Sequence, residues 1–284
     1  QTPGHLDFLH LICEVAAAKG NTYFVFDRGE TAKISECCRL SFKLEPSDLE
    51  DARQPWKMRY CALQNVTLNL PRIGYLTEKN EGPLFTRISE FLDVAAKAHC
   101  EKKQFIEKLL SLGDRGPLSL LAMNQDGSSY LRMHRASFLI GMVGLNELVQ
   151  IHTGEEMHQS REAFKFGLKV IAHMKLILDR LSERHGMRFV LEQTPAESTA
   201  YRFAKLDLRY HSPRSGHIVK GDLSRGEIYY TNSTHLNNAA VLNPIERVRQ
   251  EGLFPPLIEA GALSHGWLGE AKPSAASLAN FVAK

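Results

Sequence analysis

Long amphipathic helices separate short apolar strands along this 284-residue chain, and this alternation constrains the fold more than any other feature. Apolar residues recur at helical spacing over 83–112 and 159–185, and Gly186 behind the second segment suits a helix C-terminus. Strands are predicted over 59–70 and 188–191. Because strands that alternate with long helices pair in parallel, the pattern predicts an α/β fold.

The strand predicted over 59–70 has one apolar face and one polar face. Val66 and Leu68 alternate along it with three polar residues, Asn65, Thr67 and Asn69. Parallel sheets buried on both faces are usually apolar throughout. A polar-faced strand therefore suggests a barrel whose lumen holds a ligand.

The remaining segments are predicted to belong to the same single domain. A helix over 6–19 is predicted to end at Gly20, and a loop over 27–35 leads to a pair of adjacent cysteines. The remaining predictions are strands over 22–26 and 227–231, short apolar runs over 118–122 and 138–143, a loop over 254–269 and a helix over 274–283. No repeat or linker divides the chain, so we expect one domain over 1–284.

Composition excludes several classes of protein. The net charge is +3 and no block of five like charges occurs, so a nucleic-acid polymer is not an expected partner. No apolar run approaches the roughly 18 residues that span a bilayer, so no membrane is expected. The five cysteines are odd in number and irregularly spaced, which favours a reducing, cytoplasmic location. Spacings typical of zinc sites, P-loops and serine hydrolases are absent from the sequence.

Cys37 and Cys38 are the first candidates for chemistry. Neighbouring cysteines form a disulfide only when the peptide between them is distorted, so a structural bridge is not expected. One interpretation is that one of the two is a small buried apolar side chain and the other has no role. Alternatively Arg39 would favour a thiolate nucleophile, or a thiol in a dry pocket would donate a hydrogen atom. The residues alone leave these alternatives open.

Glu197 lies in a Thr-Pro-Ala-Glu sequence that has two interpretations. Thr194 at the N-cap, Pro195 at the first helical position and Glu197 at the third would form a capping box. A carboxyl group at a strand-to-helix turn is also where barrel enzymes keep reactive groups. The two roles are compatible if the carboxyl group is partly exposed to the lumen.

Two further polar segments follow predicted strands. Asn69 either forms a turn before Pro71 or presents its amide on the polar face of the strand. The segment after the strand at 227–231 offers hydroxyls, an amide and backbone N–H groups, which suit phosphates, and its candidate binding residues are Asn232, Ser233, Thr234 and His235.

Six motifs occur in a specific order and together carry a resemblance to a known family. They are CCRL at 37–40, LNLPRI at 68–73, GLNEL at 144–148, LEQTPAES at 191–198, RFAKLD at 202–207 and YYTNSTH at 229–235. From about Phe8 to Trp267 the chain resembles the catalytic subunit of anaerobic, class III ribonucleotide reductase. The ordered set is far more specific than any single motif.

The resemblance implies a ten-stranded barrel of the glycyl radical enzyme type, with a finger loop near 27–45. In that family a cysteine on the loop becomes a thiyl radical and abstracts the 3′ hydrogen of a ribonucleotide. The 2′ hydroxyl then leaves as water, and the product is a deoxyribonucleotide. The Cys-Arg pair aligns Cys38 with this cysteine. The family has a glycine before it, where this chain has Cys37, so Cys37 is the alternative thiol.

The same resemblance implies roles for the other candidates. Asn69 matches an asparagine at the substrate, Glu197 matches a glutamate that assists the radical intermediate in formate-using members, and the segment 231–235 is implied to contact the substrate phosphates. The reductant is formate or a small redoxin, and the substrates are expected to be triphosphates. A homodimer, ATP and dNTP effectors, and an activating enzyme that uses S-adenosylmethionine are also implied.

Several family features are not found in these residues. The family keeps its stable radical on a glycine in a C-terminal R-V-x-G-Y segment near a four-cysteine zinc site, and neither motif occurs before Lys284. The N-terminal nucleotide-binding cone and a second redox cysteine are not recognisable either. We therefore expect a fragment, the middle and later part of the barrel, that cannot turn over alone.

Three alternatives compete with this interpretation. The first is a glycyl radical enzyme that acts on a different substrate. The second is a nucleotide-binding relative that lost the radical, and the third is a hydrolase that uses the Cys38 thiolate as its nucleophile. A radical glycine beyond Lys284 in the parent gene would favour catalysis over binding. Alkylation of Cys38 at neutral pH would favour the hydrolase.

Overall fold

The structure is a computed structural model that describes residues 4–20, 22–26, 33–35, 41–43, 51, 53–124, 127, 129–266 and 272–283. The chain divides into two compact units. The first consists of Gln1–Lys33 together with His265–Lys284, and the second is Ile34–Ser264.

The first unit contains two helices that pack against each other, α1 (Leu6–Lys19) and α9 (Ala275–Ala283). Cys13 and Ala16 are buried on α1. Gly20 ends α1 with a left-handed φ of 68°, as the sequence predicts. The strand predicted over 22–26 is wrong, since these residues form no regular element. An apolar run shows only a local preference, and a strand also requires pairing with a neighbour.

Strands and helices occupy the described residues between α1 and α9 in the sequence. Short turns of 3-10 helix occur at Pro55–Lys57, Gly113–Arg115, Met133–Arg135, Arg214–His217 and Pro255–Leu257. The strands and helices are, in chain order, β1 (Lys33–Ser35), β2 (Ser41–Lys43), β3 (Cys61–Asn69), α2 (Leu70–Thr77), α3 (Glu81–Leu110), α4 (Ser119–Ala122), β4 (Ala136–Val143), α5 (Leu145–Thr153), α6 (Arg161–His185), β5 (Arg188–Glu192), α7 (Glu197–His211), β6 (Lys220–Asp222), β7 (Glu227–Tyr229) and α8 (Pro244–Glu251).

The central sheet has three parallel strands in the order β3-β4-β5. Thr67 pairs with Gly141, which pairs with Glu192, so these three residues form one row across the sheet. This topology confirms the predicted parallel α/β arrangement. The strand predicted over 227–231 forms as β7, but it pairs antiparallel with β6 and lies outside the parallel sheet.

Helices α3 and α6 cover one face of the sheet and form the main core. Leu68, Phe138 and Ile140 point into this core, and β4 is buried along its whole length. The opposite face of β3 carries the alternating polar residues, as the pattern predicts. None of the helices among the described residues is long and apolar enough to span a membrane.

Helix α2 was not predicted, because Pro71 was expected only to end the strand before it. Proline lacks an N–H and has a fixed φ, which suits the first turn of a helix as well as it disrupts a strand. Asn69 is the N-cap of α2, and its side-chain oxygen accepts a hydrogen bond from the Arg72 N–H at 3.2 Å. Strand β3 therefore passes directly into a helix.

Candidate functional site

The candidate site lies at the carboxyl edge of the parallel sheet. Strands β3, β4 and β5 run in the same direction and end at Asn69, Val143 and Glu192. In open α/β sheets, ligands bind outside the carboxyl ends of the strands. Polar side chains from β3 and from the segment after β5 meet at this edge.

The face of the sheet opposite the main core carries a connected set of polar groups, which we call the polar face: Asn65, Thr67, Glu192 and Thr194. The Thr67 hydroxyl lies 3.3 Å from the Thr194 hydroxyl and donates to the side-chain oxygen of Asn65, Oδ1, at 3.2 Å. The Asn65 amide in turn donates to the Glu192 carboxylate. Glu192 and Thr194 are buried, so these contacts are shielded from water.

Gly141 in β4 makes room for this polar face. A Cβ atom at this position would lie 1.5 Å from the Thr194 hydroxyl oxygen and 3.2 Å from the Asn65 side-chain oxygen. No side chain fits at that distance. The glycine therefore lets Thr194 lie over the sheet, where it meets Thr67.

The capping box predicted for Thr194 to Glu197 is wrong. Helix α7 begins at Glu197 itself, Ala196 is the N-cap, and no side chain caps the helix. The Thr194 hydroxyl is two residues too early, and it bonds to the polar face instead. Glu197 is exposed in the first turn of α7, so the carboxyl group is not occupied in a cap.

Asn69 is held at both ends of its amide. In addition to the capping bond through its oxygen, its side-chain nitrogen donates to Asp207 Oδ2 at 3.0 Å. Asp207, on α7, is fully buried and also binds the Arg72 guanidinium, with its Oδ1 2.7 Å from Nε and 2.5 Å from Nη2. A buried carboxylate requires such pairing because desolvation of an isolated charge is costly.

A pair of tyrosines extends this network. The Tyr230 hydroxyl donates to Asp207 Oδ2 at 3.0 Å and lies 3.2 Å from the Tyr75 hydroxyl. Burial raises the pKa of both phenols above the ordinary value, and the negative charge of Asp207 acts in the same direction. Both tyrosines are therefore neutral hydrogen-bonding groups, and Tyr230 joins Asp207 to the segment that follows it.

The segment 231–235 lies beside the end of β4 and the start of α5. The Gly144 N–H donates to the Thr231 carbonyl at 2.9 Å, and the Thr231 N–H and hydroxyl both donate to Glu147, at 3.0 and 2.5 Å. Glu147 is fully buried, and desolvation raises the pKa of its carboxyl group. Glu147 thus fixes the start of the predicted phosphate-binding segment.

The predicted phosphate ligands are mostly buried and make internal contacts. Ser233 donates to the Thr194 carbonyl at 3.1 Å and to the side-chain oxygen of half-buried Asn232. The Thr234 hydroxyl accepts from Gln193 at 2.6 Å. His235 Nδ1 lies 3.5 Å from Glu251 Oε2. Their phosphate-binding role stays a prediction.

Glu251 shows how the end of this segment is held. Burial alone would raise the pKa of this carboxyl group, but the contacts with His235 and with the Leu236 N–H outweigh burial and hold the pKa below its ordinary value. Arg247 on the same helix, α8, also contacts Glu251 at 3.4 Å. Glu251 is therefore a buried, charged anchor for the segment.

Cys37 and Cys38, and most of the predicted finger loop, lie outside the described residues. The described strands on either side of them, β1 and β2, form a two-stranded sheet. Among the residues that the structure describes, no three His, Cys, Asp or Glu side chains are close enough together to hold a metal ion.

The structure thus brings together most of the described candidates. Asp207 and Tyr230 connect Asn69 to the segment 231–235, and Ser233 connects that segment to Thr194, three residues before Glu197. Sequence analysis missed the ionisable side chains that hold this site, Arg72, Glu147, Asp207 and Glu251. Arg72, Glu147 and Asp207 lie within the motifs LNLPRI, GLNEL and RFAKLD, which was the available signal.

Comparison with known proteins identifies the family. A family model described as anaerobic ribonucleoside-triphosphate reductase matches residues 1–284. The reductase of that name from Salmonella typhimurium is 27% identical over 209 residues, which cover 71% of this chain and 28% of that protein. The one from Enterobacteria phage T4 is 28% identical over 217 residues, covering 73% of this chain and 33% of that protein. The chain therefore spans about a third or less of the length of these curated relatives.

Solved structures share the fold. The anaerobic ribonucleotide reductase from Thermotoga maritima with citrate in the active site matches with a TM-score of 0.61 at 18% identity, covering 79% of this chain and 38% of that chain. The same reductase in complex with dATP and CTP matches with a TM-score of 0.60 at 17% identity, covering 79% and 35%. These structures support the α/β fold with a parallel sheet. Because the family model matches residues 1–284, this chain belongs to the anaerobic ribonucleoside-triphosphate reductase family.

Proposed function

We propose that this chain forms part of the catalytic barrel of an enzyme that reduces ribonucleoside triphosphates to deoxyribonucleotides by radical chemistry. The family match over residues 1–284 carries this proposal. The polar face and Asn69, at the carboxyl edge of a parallel sheet, support it, because this is where α/β proteins bind ligands. A ten-stranded barrel, of which residues 1–284 form only part, belongs to the proposal.

Cys38 is the proposed hydrogen-transfer residue. A glycyl radical held outside these residues would take the hydrogen atom of the Cys38 thiol, so that the S–H bond breaks, a C–H bond forms at the glycine and a thiyl radical is left on Cys38. The Cys38 sulfur then takes the hydrogen atom from C3′ of the ribose and later returns it. The 2′ hydroxyl leaves as water and a hydrogen replaces it at C2′. The two electrons come from formate, which is oxidised to carbon dioxide, or from a small redoxin whose thiols become a disulfide.

Asn69 is proposed to bind the ribose. Its amide makes one internal hydrogen bond as a donor and one as an acceptor. An amide nitrogen carries two hydrogens and its oxygen has two lone pairs, so one of each is left for a ligand. A sugar hydroxyl both donates and accepts, which matches this pair.

Glu197 and the segment 231–235 complete the proposed site. An exposed carboxyl group at the start of α7 can accept or donate a proton, and its match to the glutamate of formate-using enzymes favours formate as reductant. The segment 231–235 is proposed to bind the triphosphate, with Asn232, Ser233, Thr234 and His235 as its candidate ligands. On the family resemblance we also propose a cytoplasmic homodimer, ATP and dNTP effectors and an activating enzyme that uses S-adenosylmethionine.

Matched substitutions at the adjacent cysteines test the proposal in a full-length reductase that carries this segment. Cys38→Ser should abolish turnover, because a serine hydroxyl does not give up its hydrogen atom to a radical, while nucleotide binding stays within about twofold of the wild type. Cys37→Ser should keep turnover. Loss of turnover in Cys37→Ser alone would assign the thiyl to Cys37, and retained turnover in both variants would refute radical transfer at this loop.

A further inference from the structure

Asp207 is a buried carboxylate that no part of the proposed reaction uses directly. It has no exposed surface, and it accepts hydrogen bonds from three side chains: Arg72, Asn69 and Tyr230. One of these, Asn69, is the proposed ribose ligand. Another, Tyr230, directly precedes the proposed phosphate-binding segment.

The contacts around Asn69 fix which end of its amide points where. Asp207 Oδ2 accepts from the amide nitrogen, and the Arg72 backbone N–H donates to the amide oxygen. A flipped amide would place its oxygen against the carboxylate and its NH2 against the N–H, so both contacts would be lost. The remaining donor and acceptor of Asn69 are therefore held in one orientation.

The same carboxylate links the two proposed halves of the substrate site. Asp207 Oδ2 lies 3.0 Å from both the Asn69 nitrogen and the Tyr230 hydroxyl. Oδ1 is occupied by the Arg72 guanidinium, whose side chain is 32% exposed. Hydrogen bonds to a charged group are short and directional, so they fix the positions of the end of β3, of α7 and of the chain after β7 relative to one another.

We infer that Asp207 is a positioning residue that sets the orientation of the Asn69 amide and its spacing from the segment 231–235. This inference rests on the proposed function, since it concerns how the ribose and the phosphates are bound at one site. Asp207 acts through Asn69 and Tyr230 and does not itself contact the substrate.

Asp207→Asn perturbs this device while nearly preserving the shape of the side chain. The new amide would keep its oxygen toward the Arg72 guanidinium and place its NH2 toward the NH2 of Asn69. The Tyr230 hydroxyl can reverse and accept a bond, but Asn69 cannot satisfy both of its neighbours. The disturbance is therefore concentrated on the Asn69 amide.

The test measures turnover of Asp207→Asn, Asn69→Ser and the double variant in the full-length reductase. Serine keeps the helix cap but removes the amide. We expect Asp207→Asn alone to lower kcat about 10- to 100-fold with little change in KM, as for a misplaced catalytic contact. In the Asn69→Ser background the same substitution should lower kcat less than about twofold, because its target is gone. Asp179→Asn, at an exposed carboxylate paired with Lys175 on α6, is the matched control and should match the wild type.

Tyr230→Phe provides a second measurement if Asp207→Asn does not fold. It removes one hydrogen bond to Asp207, and it should lower kcat about two- to tenfold in the wild-type background and have little effect beside Asn69→Ser. Multiplicative effects in the double variants would mean that Asp207 is merely structural, which refutes the inference alone. Unchanged turnover in Asn69→Ser itself would refute the proposed ribose contact and the inference with it.

Discussion

Gly141→Ala is the substitution that tests the polar face most sharply. The added methyl group would lie 1.5 Å from the Thr194 hydroxyl oxygen and 2.9 Å from the Thr194 Cβ atom. Carbon and oxygen atoms that are not bonded do not approach so closely. Either Thr194 leaves its place over the sheet or β4 shifts away from its neighbours.

The cost can be worked out from the contacts that are lost. Displacing Thr194 breaks its hydroxyl contacts with Thr67 at 3.3 Å and Asn65 at 3.5 Å, which are long and together contribute about 1 kcal/mol. Forcing a methyl group into a packed position typically costs about 1–3 kcal/mol more. We therefore expect the free energy of unfolding to fall by about 2–4 kcal/mol.

Urea unfolding followed by circular dichroism measures this difference. Gly216→Ala is the control, because a Cβ atom there meets nothing within 4 Å, and it should change the free energy of unfolding by less than about 0.5 kcal/mol. Adding Thr194→Ala to Gly141→Ala removes the nearest clashing atom and should restore part of the lost stability. If Gly141→Ala is as stable as the wild type, the described packing of Thr194 on β4 is incorrect.

Three further predictions concern single side chains. Burial lowers the pKa of His99, so the stability of the wild type should fall as pH decreases through the ordinary histidine value of about 6.5. In urea unfolding from about pH 8 to about pH 5, His99→Gln should lack this pH-dependent loss of stability. Burial raises the pKa of Glu147, so the protonated form of its carboxyl group favours folding. The wild type should therefore lose stability relative to Glu147→Gln as pH rises above about 4.3. A stability difference between the two that does not change with pH would contradict this. Asn69→Ala should be less stable than Asn69→Ser by about 1 kcal/mol in the same assay, because only serine retains the cap of α2, and equal stabilities would contradict the capping role.

Periodicity predicted the elements whose packing follows from a single face. The helix capped by Gly186 and the alternation of polar Asn65 and Thr67 on β3 are confirmed, because an element that buries one face has apolar residues at a regular spacing. The parallel pairing of β3, β4 and β5 followed from the long helices between them. Local pattern was sufficient wherever the neighbouring layer was a helix on a sheet.

Tertiary contacts decided the positions where prediction was wrong. Thr194 is a residue type that often caps helices, and it lies three residues before Glu197. Gly141, however, leaves space for its hydroxyl over the sheet, where it contacts Thr67 instead of capping α7. Asp207 lies 138 residues from Asn69 in the chain, so no local pattern could show that the two side chains meet. The roles of Cys38, Glu197 and the segment 231–235 rest on family resemblance and stay predictions.

The central claim concerns the position of one sulfur atom relative to a ribose. A crystal structure of the full-length reductase with a bound ribonucleoside triphosphate tests it directly. The account predicts that Cys38 Sγ lies within about 3–4 Å of C3′, with the Asn69 amide on the ribose hydroxyls. Both Cys37 and Cys38 on the outer surface, far from Asn69 and Glu197, would contradict it.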